Sequence, residues 1–275
     1  MTIDEKYDLL RQIIGKLGRI VAAYSGGVDS TFLLKVSVDV LGSENVLACI
    51  AAGPSLPKSQ YTKAIEMAKS MQVDVKTIEP NELADTAYSA NKADRCFHCK
   101  SHLFKILNGI AKEKGCDCVV CGSNLDDYDD YRPGNKAVKI FNVRCPLAEA
   151  QLTKKDIRQL SRKLNLPTAD IPASPCLASR ISYGQEITGR KLNQVEQAEE
   201  FLKGLGFVEF RLRHHGQLAR IEVHKEDIAK VVALRQNIAA KLKSLGFKFV
   251  SVDLEGFRSG SLNEVLSQED KQKSL

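Results

Sequence analysis

From residue 19 onward, short apolar runs alternate with amphipathic segments of helical length. "RIVAAY" reads as a strand, "STFLLKVSVDVLG" as a helix stopped at Gly42, and "NVLACIAA" as a second strand. "PKSQYTKAIEMAKSMQ" is then a helix, "VDVKTIE" a third strand, "CKSHLFKILNGIAKEKG" a helix and "CDCVVCGS" a fourth strand. Strands this short and apolar, separated by helices, predict parallel βαβ units in a sheet buried on both faces. A further helix is predicted from Thr153, where "TKKD" offers a side-chain cap and an acid three residues later.

The texture changes near residues 165–184, "NLPTADIPASPCLASRISYG", which carry three prolines and no period. This stretch reads as a connector or a site loop. Beyond it, "KLNQVEQAEEFLKGLGFVEFRLR" reads as helix, turn and strand, and "VVALRQNIAAKLKSLGFKFVSVDL" repeats that order about forty residues later. Between them "RLRHHGQLARIEV" has the pattern of a hairpin turning at His-Gly-Gln. The order α-β-β-α-β predicts a small antiparallel sheet with helices on one face. The chain is therefore expected to be an α/β domain over 1–184 followed by a smaller α+β domain over 185–275.

Composition narrows the class without naming a function. Of 275 residues, 43% are hydrophobic and 27% charged, which is ordinary for a folded protein and excludes disorder as the default. No window reaches the roughly 18 to 20 apolar residues of a membrane helix. The N-terminal "MTIDEKYDLLRQIIGKLGRI" is acidic first and amphipathic after, unlike a secretory signal. A soluble cytoplasmic protein is expected. Forty basic against 34 acidic residues give +6, which suits a nucleotide or another anionic small molecule. Without tryptophan or a long basic run, nucleic acid has little to recommend it as a partner. Eight cysteines and no export signal argue for reduced thiols, whose pairs serve metal or catalysis more often than disulfides.

Strand, Ser25-Gly26-Gly27-Val28-Asp29-Ser30, then helix is the strongest chemical signal. Two glycines allow a tight turn and close approach of an anion, and backbone N–H groups then converge with the helix N-terminus. Ser25 and Ser30 add hydroxyls. Asp29 fits an anion site only with a cation between it and the phosphates, which implies magnesium. No lysine follows the glycines, so this is not a Walker motif. The competing reading is a strand–helix turn that needs glycine for geometry alone. The segment resembles the PP-loop ATP pyrophosphatases, marked by Ser-Gly-Gly-x-Asp-Ser after the first strand. That resemblance implies ATP cleavage between the α and β phosphates and adenylation of a substrate oxygen.

Cysteine placement separates candidates. Cys118 and Cys121 lie three apart in an apolar strand and face opposite ways, so they cannot share a metal there. Cys49 reads as a small core hydrophobe, and Cys116 and Cys145 have no partner by sequence. Cys96 and Cys99, in "RCFHCK", precede or open a helix beside Arg95 and Lys100, a setting that lowers thiol pKa. Cys176 stands in the proline-rich loop, followed by Arg180. From residue types alone three models stand: zinc completed by His98 or His102, a dithiol redox pair, or a 4Fe-4S cluster with one iron free of protein ligands.

"ASPCLASRISYG", "DDYDDYRPG" and "FRLRHHGQLARIEV" together resemble the LarE family of ATP-dependent sulfur transferases, from the PP-loop through "DLEGFRSG" at 253–260. Its members adenylate a carboxylate of pyridinium-3,5-biscarboxylic acid mononucleotide and replace AMP with sulfur, in nickel-pincer nucleotide biosynthesis. The resemblance implies a homo-oligomer. Some members sacrifice the sulfur of a single cysteine; Cys96 and Cys99 make this chain similar to the three-cysteine members, in which a 4Fe-4S cluster supplies sulfide. It implies that Cys96, Cys99 and Cys176 hold the cluster, and that Arg211 and Arg213 hold the substrate phosphate. It also implies a cation-side role for Glu199 in "EQAEE", where a solvated helix face is the alternative. Asp126, Asp127, Asp129 and Asp130 follow the fourth strand and suit magnesium or ribose, or else form a solvated acidic turn. Ser179 and Arg180 are candidates to steady an acyl-adenylate, Arg258 is a further phosphate candidate, and His214 and His215 are expected at the surface of a hairpin turn. The sulfide donor is not named by any of these features.

Overall fold

The computed structural model describes residues 1–128, 133–172, 175–258, 260–269 and 272. In chain order its elements begin with α1 (Ile3–Gly15), β1 (Ile20–Tyr24), α2 (Val28–Leu41), β2 (Val46–Ala51), α3 (Lys58–Ser70) and β3 (Asp74–Ile78). They continue with α4 (Thr86–Ser89), α5 (Arg95–Lys114), β4 (Cys118–Cys121), α6 (Gly134–Ile140), α7 (Pro146–Glu149) and α8 (Lys154–Lys163). The rest comprises α9 (Gly189–Gly204), β5 (Phe210–His215), β6 (Leu218–Val223), α10 (Ile228–Ala233), α11 (Arg235–Ser244) and β7 (Phe249–Val252). Among the described residues, no helix is long and apolar enough to cross a membrane.

These elements form two compact units. The first holds the described residues of 1–82 and 96–172; the second holds 83–95 and the described residues from 175 onward. The sequence pattern put a single break near residue 185, whereas the units are discontinuous. Asn91 gives the physical reason. In a left-handed turn at φ 54°, its buried amide donates to the carbonyls of Ile181 (3.2 Å), Ser182 (2.9 Å) and Gln185 (3.0 Å). Arg95 in turn donates to Asn91 Oδ1 at 2.6 Å and to the Ala178 carbonyl at 3.1 Å. Such partners, about ninety positions apart, leave no local pattern to read.

In the first unit, four parallel strands run in the order β3-β2-β1-β4. Alternation across β1 explains the two-faced burial. Ile20, Ala22 and Tyr24 join one core with Phe32, Leu34 and Leu160, while Val21 joins another with Cys49, Phe104 and Leu107. Cys118 packs against the first core and Cys121 belongs to the second, as residues three apart on a strand must. Local chemistry sets the helix ends. Thr2 with Glu5 and Thr153 with Asp156 form capping boxes that satisfy the first N–H groups of α1 and α8, each worth about 1 kcal/mol. Strand order reverses at β1, flanked by β2 and β4, and open α/β sheets bind ligands beyond the carboxyl ends at such a point.

The second unit carries a three-stranded sheet in the order β5-β6-β7. β5 and β6 are an antiparallel hairpin, but β7 pairs with β6 in parallel. This corrects the expected all-antiparallel sheet. The connection from β6 runs through α10 and α11, and a helical crossover returns the chain in its original direction.

Candidate active site

The loop after β1 builds an anion cradle. Gly26 sits at φ 72°, and a Cβ there would meet the Ala64 Cβ at 2.5 Å, so α3 packs too closely for any side chain. Tyr24 Oη donates to the Ala64 carbonyl at 3.1 Å and Gln60 Nε2 to the Ser25 carbonyl at 2.9 Å, which fixes that approach. Ser25 N donates to Ser30 Oγ at 3.3 Å, the two hydroxyls lie 3.1 Å apart, and Ser30 Oγ donates to the Gly27 carbonyl at 3.2 Å. The loop is thus held by its own serines. The first N–H groups of α2 lack partners within the helix and favour an anion there. Val28 turns inward at 4% exposure, leaving its backbone alone for ligand contact.

A second glycine closes the floor. Gly122, directly after β4, would place a Cβ 2.9 Å from Ser30 N and 3.2 Å from the Asp29 carbonyl carbon. Asp29 Oδ2 meets Lys154 Nζ at 2.5 Å, and the Lys154 backbone N–H donates to Asp126 Oδ2 at 2.9 Å. Asp126 therefore anchors the N-terminus of α8. Asp127 is buried and accepts from Asn124 N at 3.1 Å. The acidic turn is therefore not solvated at Asp127, whereas Asp126 is exposed; Asp129 and Asp130 lie outside the described residues. Among the described residues, no group of three or more His, Cys, Asp or Glu could hold a metal ion. Magnesium needs less: one or two carboxylates beside substrate phosphates suffice, and Asp29 at the cradle fits that hard-oxygen demand.

Cys96 lies in the first turn of α5 and Cys99 just beyond it, both half-buried. At i and i+3 they share one face of the helix. Cys176 is exposed and belongs to the second unit, where it precedes a turn of 3₁₀ helix over Leu177–Arg180. Its carbonyl accepts from Ser179 N at 3.0 Å and from Ser179 Oγ at 2.7 Å. For a cluster, the fit seen within one unit extends to two thiols.

The second unit interlocks its arginines with carboxylates. Arg180, 2% exposed, places Nε and Nη2 on the two Glu199 oxygens at 2.8 and 3.1 Å. Glu199 Oε1 also accepts from Leu212 N at 3.1 Å, so this acid is not on a solvated helix face. Arg213 is 5% exposed and donates to Glu222 (3.0 Å), the Ser179 carbonyl (2.9 Å) and Ser261 Oγ (2.9 Å). Arg211 lies 4.9 Å over the Phe257 ring. Burial, then the neighbouring Arg180 charge, pulls its pKa down to about 10. Cationic charge crowded in this way favours an anion nearby. Arg258 ion-pairs with Glu255 and Glu264. His214 is not a surface residue: it is 1% exposed, its Nε2 lies 3.2 Å from Gln194 Oε1, and burial lowers its pKa to about 4.

Residues 2–109 match the NAD synthase family. Over 268 residues, 97% of this chain and all of the relative, the sequence is 42% identical to an uncharacterised protein of Synechocystis sp.. It is 35% identical over 267 residues, 97% of both chains, to the pyridinium-3,5-bisthiocarboxylic acid mononucleotide synthase of Lactiplantibacillus plantarum. The chain belongs to the LarE family of PP-loop sulfur transferases. An uncharacterised protein of Methanocaldococcus jannaschii is 33% identical over 88% of this chain and 91% of its own length.

Within this LarE-family chain, Ser25 to Ser30 and Asp126 gather at the carboxyl edge of the first sheet, whereas Ser179, Arg180, Glu199, Arg211 and Arg213 gather in the second unit. Lys154, Gly122 and Glu222 had no signal in the sequence pattern. "TKKD" pointed to a helix cap, and nothing local paired Lys154 with an aspartate 125 residues earlier.

Proposed function

We propose that this chain is an ATP-dependent sulfur transferase acting on pyridinium-3,5-biscarboxylic acid mononucleotide. The observation that carries the reading is the phosphate cradle at the reversal of strand order, in a chain that aligns nearly end to end with the synthase from L. plantarum. ATP lies with its β and γ phosphates over Ser25 to Ser30. Asp29 contributes to binding magnesium, and Lys154, released from that carboxylate, faces the phosphates. A substrate carboxylate oxygen attacks the α-phosphorus, the bond to the β-phosphate oxygen breaks, and pyrophosphate leaves stabilised by backbone N–H groups.

Sulfide then attacks the acyl carbon, the acyl C–O bond to AMP breaks, and a thiocarboxylate remains; two rounds convert both carboxylates. Arg211 and Arg213 hold the substrate phosphate, Ser179 and Arg180 steady the acyl-adenylate, and Glu199 fixes Arg180. Cys96, Cys99 and Cys176 are the residues proposed to hold a 4Fe-4S cluster. Such a cluster, with one iron free of protein ligands, supplies a site for exogenous sulfide. A homo-oligomer belongs to the same reading.

Pyrophosphate formation from ATP should require the pyridinium substrate and should not occur with tRNA in its place. Adenylation of tRNA without turnover of the pyridinium nucleotide would overturn the assignment. Iron, labile sulfide and zinc counted per chain after anaerobic purification test the cluster separately, and stoichiometric zinc without labile sulfide would sink it.

A further inference from the structure

Two cysteines that the proposed chemistry does not use lie against each other beneath the cradle. Cys121 closes β4 and Cys145 precedes α7, and their sulfurs are 3.5 Å apart. Cys145 had no partner by sequence, and Cys121 was weighed only against Cys118, on the opposite face of its strand. The backbone explains the meeting: Val120 pairs in parallel with Arg144, Arg144 N donates to the Val119 carbonyl at 2.9 Å, and Cys121 N donates to the Arg144 carbonyl at 3.0 Å. Cys121 and Cys145 are therefore next-door residues on adjacent parallel segments, spaced about 4.8 Å. That spacing falls inside the Cα range of disulfides, roughly 4.4–6.8 Å, so side-chain rotation can supply most of the closure.

We propose that Cys121 and Cys145 form a reversible disulfide that acts as a redox-sensitive modification site controlling the phosphate cradle. Cys121 is followed by Gly122, which leaves no room against Ser30 and Asp29. Drawing the sulfurs from 3.5 Å to a bond of about 2.0 Å tightens β4 against the 144–145 segment. The floor of the cradle moves with it, and nucleotide binding weakens. The pair is chemically poised. The hydrogen bond from Cys145 stabilises a Cys121 thiolate, with help from the Lys100 charge, while the second thiol is pushed far up. The two protons belong to the pair rather than to either sulfur. The Lys100 side chain is held over Gly134, where a Cβ would lie 2.6 Å from its Cδ.

The oxidant is a peroxide. Thiolate attack breaks the O–O bond and gives a sulfenic acid with loss of one water equivalent. The second thiol then displaces the hydroxyl as water, so one S–S bond replaces two S–H bonds and peroxide becomes two waters. A dithiol reductant reverses the reaction, taking the two electrons back.

The test treats the reduced full-length protein with hydrogen peroxide and maps non-reduced peptides. The expected result is a cross-link between the peptides holding Cys121 and Cys145, removed by dithiothreitol. Binding of a non-hydrolysable ATP analogue should weaken at least fivefold on oxidation and recover on reduction. In Cys145→Ala, which keeps Cys96, Cys99 and Cys176, peroxide should not change that affinity. Cys121→Ala repeats the control should the first variant unfold. Absence of the cross-link overturns the proposal, as does a cross-link that leaves affinity unchanged or an equal loss in the variants.

Discussion

The two units handle charge in opposite ways. At the cradle, Asp29 and Lys154 form a pair whose side chains keep 24% and 33% of their exposure, and the phosphate-facing backbone is bordered by glycines and serines. In the second unit, Arg213 and Glu222 are 6% and 1% exposed, and Glu222 also meets Arg220 at 3.0 Å and Ser261 at 3.4 Å. The first arrangement is half-solvated and can exchange partners when a nucleotide and its cation arrive. The second is locked before any substrate comes. A buried pair of this kind stabilises little relative to apolar packing, yet breaking it is costly because the remaining charge has no water. The cost in stability of breaking a charge pair should therefore differ between the two regions.

The largest expected effect is on stability. Glu222→Ala leaves the buried Arg213 without its carboxylate, while Arg220 keeps Asp253 at 3.5 Å; it should lower the unfolding free energy by about 3–5 kcal/mol in urea titrations, and a loss below about 1 kcal/mol would remove the distinction between the units.

Next comes the pH dependence of the second unit. His214 titrates at about 4 when folded against 6.5 when free, because burial and then Lys191 disfavour its charge. Below pH 6.5 the unfolded chain takes up a proton that the folded chain refuses. The His214 contribution to stability should be flat above that value, fall by about 3 kcal/mol toward pH 4, and level off beneath it. His215, also lowered chiefly by burial, adds a slope of the same sign. Urea midpoints measured across this range should lose most of the slope in His214→Gln. An unchanged slope would show that other groups carry it.

Lys154→Ala should act the other way round. Its pair is half-solvated, so stability should change by less than about 1 kcal/mol. Pyrophosphate formation should nevertheless fall about tenfold, equivalent to roughly 1.4 kcal/mol of barrier. The smallest effect belongs to Arg258→Ala, whose carboxylate partners Glu255 and Glu264 are 73% and 58% exposed. Its unfolding free energy should stay within about 0.5 kcal/mol of the parent. A raised KM for the pyridinium nucleotide at that unchanged stability would return Arg258 to the phosphate-binding set.

What the sequence showed follows the same division. The parallel sheet and the cradle were legible because apolar runs, glycines and an N-cap are local signals: "RIVAAYSGGVDS" carries strand, turn and helix start in twelve residues. The capping acid after Thr153 was read correctly for the same reason. The direction of β7 was not, since helix-to-strand repeats do not state which way the second strand returns. Asn91, Glu222 and the Cys121–Cys145 contact escaped because each depends on residues brought together across the chain. Polar residues buried by distant partners look, in one dimension, like surface residues. That is how His214 came to be expected in solvent, and why a solvated helix face stood as the alternative for Glu199.

The most direct test of the central claim is mass spectrometry of the pyridinium nucleotide after anaerobic incubation with the protein, ATP, magnesium and sulfide. The expected products are AMP, pyrophosphate and a nucleotide in which sulfur replaces oxygen, first in one carboxylate and then in both. Formation of AMP and pyrophosphate with every carboxylate oxygen retained would contradict sulfur transfer, and intact ATP would contradict adenylation itself.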